Sequence, residues 1–193
     1  MLWHAQSSTF QDSEKVLSNK IVLLYFSASW CAPCQHFTPK LSQMYNTLKA
    51  NANKDVSFEI VFASMDKTEE QYATYCEKMP FYAMPWDSKI VATLARQFNA
   101  QGIPHLVVLD TDGSVILEDG VSELSMDPTG IHFPWRPKPL PEILPSYYLN
   151  SNKEVKPMSD LDGKYLMLYF SVSDGYCFVM VILVCNMWLT ARY

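Results

Sequence analysis

"YFSASWCAPCQHFTPKL", residues Tyr25–Leu41, holds Cys31 and Cys34 with Pro33 between them and Trp30 just before. Upstream, Ile21–Ser27 (IVLLYFS) is a continuous apolar run of strand length, the pattern of a central strand buried on both faces. Downstream, Phe37, Leu41, Met44, Tyr45 and Leu48 recur at helical spacing. They predict a helix from Pro33 to about Ala50, with a kink at Pro39. Cys31 then stands at a helix N-terminus. Unpaired backbone N–H groups and the helix dipole favour a thiolate there, and a thiolate is the species that attacks a disulfide. Cys34 lies one turn further in, within reach of Cys31. Pro33 presets the backbone of the first turn and removes a donor that would have no partner.

Other readings of the pair are weaker. A structural zinc site needs four ligands, and no second Cys-x-x-Cys or spaced His pair exists. Cys76, Cys177 and Cys185 are isolated, and His36 cannot complete a tetrahedron alone. Haem attachment requires His directly after the second cysteine, where Gln35 stands. Two inert buried cysteines remain as the bland alternative. Spacing and context favour a dithiol that opens and closes, and no bound cofactor is then needed.

The chain has 193 residues, a net charge of −5 and no basic run, which argues against nucleic acid or an acidic membrane as main partner. The opening "MLWHAQSSTFQDSEK" lacks the charged-then-apolar pattern of a signal peptide, so export is not expected. A cytoplasmic location, with the nucleus as a second compartment, is the expectation. Lasting disulfides are rare there, and five cysteines is an odd count for a stapled domain.

Further strands are expected at Phe58–Ala63, Leu106–Leu109 and Ser114–Leu117, and helices at Thr68–Lys78 and around Ile90–Phe98. Met79–Ser88, with two prolines, reads as irregular. The β-α-β-α-β-turn-β order predicts an α/β fold, a central mixed β-sheet flanked by helices. Pro104 stands immediately before a strand, where it can hold a cis bond and leave the preceding backbone free for an incoming peptide.

Residues 1–135 are read as one domain and 136–160 as a proline-rich linker, since "FPWRPKPLPEILP" (Phe133–Pro145) has five prolines in thirteen residues. "LDGKYLMLYFSVS" (Leu161–Ser173) then aligns with "LSNKIVLLYFSAS" (Leu17–Ser29). Residues 161–193 are accordingly the truncated start of a second repeat, ending in a divergent hydrophobic tail without cysteines at the matching place. Tyr176–Leu189 is shorter than the roughly 20 apolar residues a bilayer requires, so a membrane span is not expected.

"SASWCAPC" with "FTPKL", "MPFYAMPW", "GIPHLVVLDTDG" and "DPTGIHFPWRPKP" occur in order over about Leu17–Pro139. Together they resemble the tryparedoxin/nucleoredoxin branch of the thioredoxin superfamily, and the second repeat is more nucleoredoxin-like. The resemblance implies a thioredoxin-like fold and a thiol-disulfide oxidoreductase that reduces protein disulfides. By position it makes Cys31 the attacking and Cys34 the resolving cysteine, and Trp30 their shield. Pro104 becomes a cis-proline facing them, and Ile103 a backbone clamp for substrate. Implied partners are protein disulfide substrates and an upstream reductase or dithiol donor, with electrons ultimately from NADPH. The alternative is a redox-sensitive binding module with a signalling partner of the Dishevelled type.

Departures from the branch are Ala32 where proline is usual and His105 where threonine is usual; His105 is read as facing solvent. Tyr25 stands where thioredoxins proper carry a buried acid, so Asp66 is a candidate proton carrier. Trp86 is placed either on a substrate groove beside the cysteines or as a loop aromatic packed on the core.

Overall fold

The computed structural model describes residues 1–4, 7–51, 56–173 and 176–184, which fall into two units, Met1–Pro137 and Lys138–Tyr193. The first unit runs β1 (Leu2–His4), β2 (Thr9–Gln11), α1 (Ser13–Leu17), β3 (Ile21–Ser27), α2 (Ala32–Ala50) and β4 (Phe58–Ser64). It continues with α3 (Glu69–Cys76), β5 (Tyr82–Ala83), α4 (Ser88–Gln97), β6 (His105–Leu109), β7 (Val115–Leu117) and α5 (Gly120–Met126). The strands form one mixed sheet in the order β2-β1-β5-β4-β3-β6-β7. β3 pairs parallel with β4 and antiparallel with β6, setting Tyr25 opposite both Phe62 and Leu106.

Because side chains alternate along a strand, β3 feeds two cores. Ile21, Leu23 and Tyr25 pack with Ile60, Phe62, Leu106 and the apolar face of α2. Leu24 and Phe26 pack with Val61, Val107 and the Val91–Ala95 face of α4. Leu23, Tyr25 and Phe26 are wholly buried. A parallel pair needs helical cover on both faces, and the apolar run of β3 meets that demand. α2 remains continuous through Pro39.

A short segment closes the unit. Asp127 ends α5 and accepts hydrogen bonds from the Ile131 and His132 N–H groups (2.9 and 2.8 Å) and from Trp135 Nε1 (3.0 Å). This places Phe133 and Trp135 against the core. Gly130 has φ +67°, and a Cβ there would stand 3.0 Å from a Leu48 methyl, so glycine lets this turn lie on α2.

The second unit departs from the expected linker. Residues 136–160 contain α6 (Leu140–Ile143) and an antiparallel hairpin, β8 (Tyr147–Leu149) with β9 (Val155–Pro157). Asn150 Oδ1 accepts from the N–H groups of Asn152 and Glu154, and Lys153 takes φ +62°, so polar turn chemistry closes a hairpin where the prolines suggested only a stiff connector. A 3-10 turn (Met158–Leu161) and β10 (Tyr165–Ser173) follow.

Hairpin, short helical turn and strand thus recur in the order of β1–β2, α1 and β3. Asn19 and Gly163 both have positive φ, and the Lys20→Leu17 and Lys164→Leu161 backbone bonds are both 3.1 Å. The likeness reaches further upstream than Leu161, where the sequence match begins. It ends after β10, which pairs antiparallel with β11 (Tyr176–Val184) where the first unit has α2. The break at Asp174–Gly175 and the end of the tail, with Cys185, lie outside the described residues. No described helix is long and apolar enough to cross a membrane.

Burial opposes ionisation of Asp127, but its hydrogen bonds outweigh that and hold its pKa below the usual carboxylate range. A depressed folded pKa contributes stability above the unfolded value of about 3.9 and loses it as pH falls through the folded value. Asp127→Asn cannot accept all three bonds and is expected to cost about 1–3 kcal/mol at pH 7. Thermal unfolding from pH 7 to pH 2 tests this: the gap between wild type and variant narrows below about pH 4.

Candidate functional site

β3 ends at Ser27, and four residues later the chain enters α2 with Cys31 as its N-cap in extended conformation (φ −89°, ψ 109°). Cys31 Sγ accepts the Cys34 N–H at 3.4 Å, the bond a serine or aspartate side chain ordinarily accepts at this position. Pro33 occupies the first helical turn, where its missing N–H leaves nothing unpaired. The two Cα atoms are 5.2 Å apart and the sulfurs stand at near-disulfide distance. Cys31 is 7% exposed and Cys34 wholly buried, so of the pair only Cys31 reaches the surface. Both pack with Ala28 and against Met65 and Ile103.

The turn between strand and helix is held from a neighbouring strand. Asp66, just beyond β4, accepts from Ser29 N (2.8 Å), Ser29 Oγ (2.7 Å) and Ser64 Oγ (2.8 Å). Its carboxylate therefore anchors the loop before Cys31. Trp30 is half exposed, and its Nε1 donates to the Met65 carbonyl at 3.3 Å. The Lys67 ammonium lies 5.5 Å from its ring centroid.

Ile103–Pro104 is a cis peptide, and the Ile103 carbonyl oxygen lies 3.6 Å from Cys31 Sγ. The loop before β6 therefore abuts the Cys31 sulfur. His105 is not turned to solvent as the sequence reading had it. It is half-buried with its ring 6.0 Å from that of Phe26, and its Nε2 is enclosed. Its position in β6, paired with Phe26 of the central strand, causes this. Trp86 donates Nε1 to the Asp66 carbonyl at 3.5 Å and lines a cleft with Trp3, Phe10 and Tyr72.

Beneath Cys34 lies a polar cluster that sequence reasoning missed. Thr38 Oγ1, one turn along α2, donates to the Cys34 carbonyl (2.9 Å) and contacts the hydroxyls of Tyr25 (2.9 Å) and Tyr75 (2.7 Å). Tyr75 reaches on to Ser27 Oγ at 3.3 Å. Desolvation raises the Tyr25 pKa, so its hydroxyl stays neutral. The four hydroxyls tie β3, α2 and α3 together in the place where an acid was not found. Tyr25 and Thr38 carry a weak sequence signal, each being a polar group on an otherwise apolar face; Tyr75 carries none.

With this geometry, comparison with known proteins is direct. A family model described as Thioredoxin-like matches residues 19–115. Tryparedoxin from Trypanosoma brucei brucei is 39% identical, over 62% of this chain and 81% of that protein. The chain belongs to the thioredoxin-like family, on its nucleoredoxin/tryparedoxin branch. Nucleoredoxin from Danio rerio is 41% identical over 66% of this chain, and probable nucleoredoxin 1 from Arabidopsis thaliana 36% identical over 84%. The chain spans only 30% and 32% of those two proteins' lengths. Among solved structures, tryparedoxin I from Leishmania major superposes with a TM-score of 0.62 at 36% identity, covering 71% of this chain and 92% of that one. The match covers the thioredoxin-like unit that carries Cys31 and Cys34.

Cys76, on α3, is buried, and desolvation pushes its thiol up to about 12. A thiol so shifted stays protonated throughout the neutral range and is a poor nucleophile. Site-resolved mass spectrometry after iodoacetamide treatment of the reduced protein at pH 8 is expected to show Cys76 unmodified in the native state. Full labelling is expected once the protein is unfolded.

Proposed function

We propose that this chain is a thiol-disulfide oxidoreductase that reduces protein disulfides through Cys31 and Cys34. The observation that carries the reading is the asymmetry of the pair: Cys31 is the partly open N-cap of α2, and Cys34 lies buried one turn behind it. The Cys31 thiolate attacks one sulfur of a target disulfide. A Cys31–target bond forms, the target's own S–S bond breaks, and the released target sulfur takes a proton. Cys34, giving up its proton, then attacks Cys31. The intramolecular disulfide forms and the second target sulfur leaves as a thiol. Two electrons pass from the dithiol to the target, and an upstream dithiol donor, supplied ultimately by NADPH, restores the reduced pair.

The remaining residues support these steps. The Ile103 carbonyl beside Cys31 Sγ and the cis-Pro104 that lacks an N–H offer an edge on which an extended target segment can lie. Trp30, beside Cys31, is tied to the Met65 carbonyl, and Asp66 fixes the loop that carries it. The proposed setting is a reducing compartment, cytoplasm or nucleus, where a dithiol of this kind is kept cycling.

An insulin-reduction assay driven by a reductase system and NADPH tests the reading. Cys31→Ser is expected to reduce turnover to background. Cys34→Ser is expected to stall at a mixed disulfide, visible as a covalent adduct that dithiothreitol releases. Oxidation-dependent capture of a partner with no turnover by the wild type would replace the enzyme with a redox-sensitive binding module.

A further inference from the structure

Away from the cysteines, the N-terminal hairpin, α3 and the segment before α4 enclose a cleft of about 380 Å³. Its walls are aromatic: Trp3 and Phe10 on one side, Tyr72 and Trp86 on the other. Phe10 and Trp86 are 53% and 37% exposed, far more than core packing requires. The rings are held in place. Trp3 and Phe10 lie 5.0 Å apart across the β1–β2 pair, the Tyr72 hydroxyl donates to the Met84 carbonyl at 2.7 Å, and Trp86 donates to the Asp66 carbonyl.

Glu69 and Ala73 of α3 and its C-cap residue Glu77, which keeps helical backbone angles, line this cleft in one stripe. Residues four apart lie one above another on a helix. The small Ala73 therefore opens a floor between two carboxylate-bearing positions about 12 Å apart along the axis. Both glutamates are exposed, and neither forms an ion pair among the described residues. Among the described residues, no lysine, arginine or histidine lines the cleft. Aromatic faces with carboxylates at both ends attract organic cations. An anion would meet two negative charges, and an apolar ligand would strip water from both without replacing it.

The cleft is also linked by hydrogen bonds to the loop before Cys31. Trp86 is bonded to the main chain of Asp66, whose carboxylate holds the backbone of Ser29, two residues before Cys31. We propose that this cleft is an exosite for a peptide segment of the substrate bearing arginine or lysine, which seats its cationic side chains between Glu69 and Glu77. The assignment of that segment to a substrate rests on the oxidoreductase reading; the cation selectivity does not.

Two experiments separate these parts. In the first, a pair of cysteine-free peptides, identical except for two arginines in one and two glutamates in the other, is titrated against the full chain by tryptophan fluorescence. The arginine peptide is expected to bind about fivefold tighter or better, with the preference falling as salt is raised. Glu69→Gln/Glu77→Gln, at exposed positions that leave folding intact by circular dichroism, is expected to abolish the preference. Equal affinities, or a preference that survives the double substitution, overturns the exosite.

In the second, Cys31-dependent reduction of a disulfide-linked peptide is measured with a basic and with a neutral flanking arm. The basic arm is expected to lower KM in the wild type and not in the double variant, with neutral-arm turnover equal in both. Absent turnover alongside intact arginine selectivity overturns the oxidoreductase reading and leaves the cation site standing. Turnover without any effect of the arm overturns the exosite alone.

Discussion

A cysteine sulfur caps the helix that carries its partner. The bond from Cys34 N–H to Cys31 Sγ puts a polarisable, ionisable atom where helices usually place an oxygen. An N-cap acceptor interacts favourably with the unpaired N–H groups and positive end of the helix dipole, more so when it is an anion. The same bond holds Cys31 Sγ against the first turn of α2, beside Cys34. Capping and proximity thus arise from one local arrangement, provided that β3 stops at Ser27 and α2 starts at Ala32. The central strand enforces the first condition. The Asp66 clamp on Ser29 enforces the second, by holding the connecting loop to the end of β4.

The elements that carry this arrangement are legible because each has a strong pattern. Ile21–Ser27 is apolar without interruption, as a strand buried on both faces must be, and the Phe37–Leu48 spacing fits a long amphipathic helix. Phe58–Ser64 and His105–Leu109 emerge within one residue of their expected bounds for the same reason. The N-terminal strands and β5 are two or three residues long, too short for any periodicity to register. They exist because the edge of an established sheet offers them partners. The hairpin in 136–160 was hidden by prolines, whose local stiffness says nothing about the Asn150 turn that closes it.

The candidate site divides along the same line. Cys31, Cys34 and Pro33 are close in sequence, and spacing alone suggests their chemistry. Asp66, Thr38 and Tyr75 act through contacts across 37–48 residues of chain, which appear only once strands and helices are in register. His105 illustrates the converse: read from sequence as facing solvent, its ring is drawn inward by pairing with Phe26. Trp86 links the two regions, since its indole ties the aromatic cleft to the loop before Cys31.

The proposed role of Cys31 as the nucleophile rests on its place at the start of α2. The most direct test is the pH dependence of its alkylation in the reduced native protein, followed site by site. The account predicts that Cys31 reacts first, with its rate half-maximal at a pH clearly below the value of about 8.5 for an unperturbed thiol. Cys34 should lag far behind. A half-maximal pH at or above that value, or equal reactivity of the two cysteines, would contradict it.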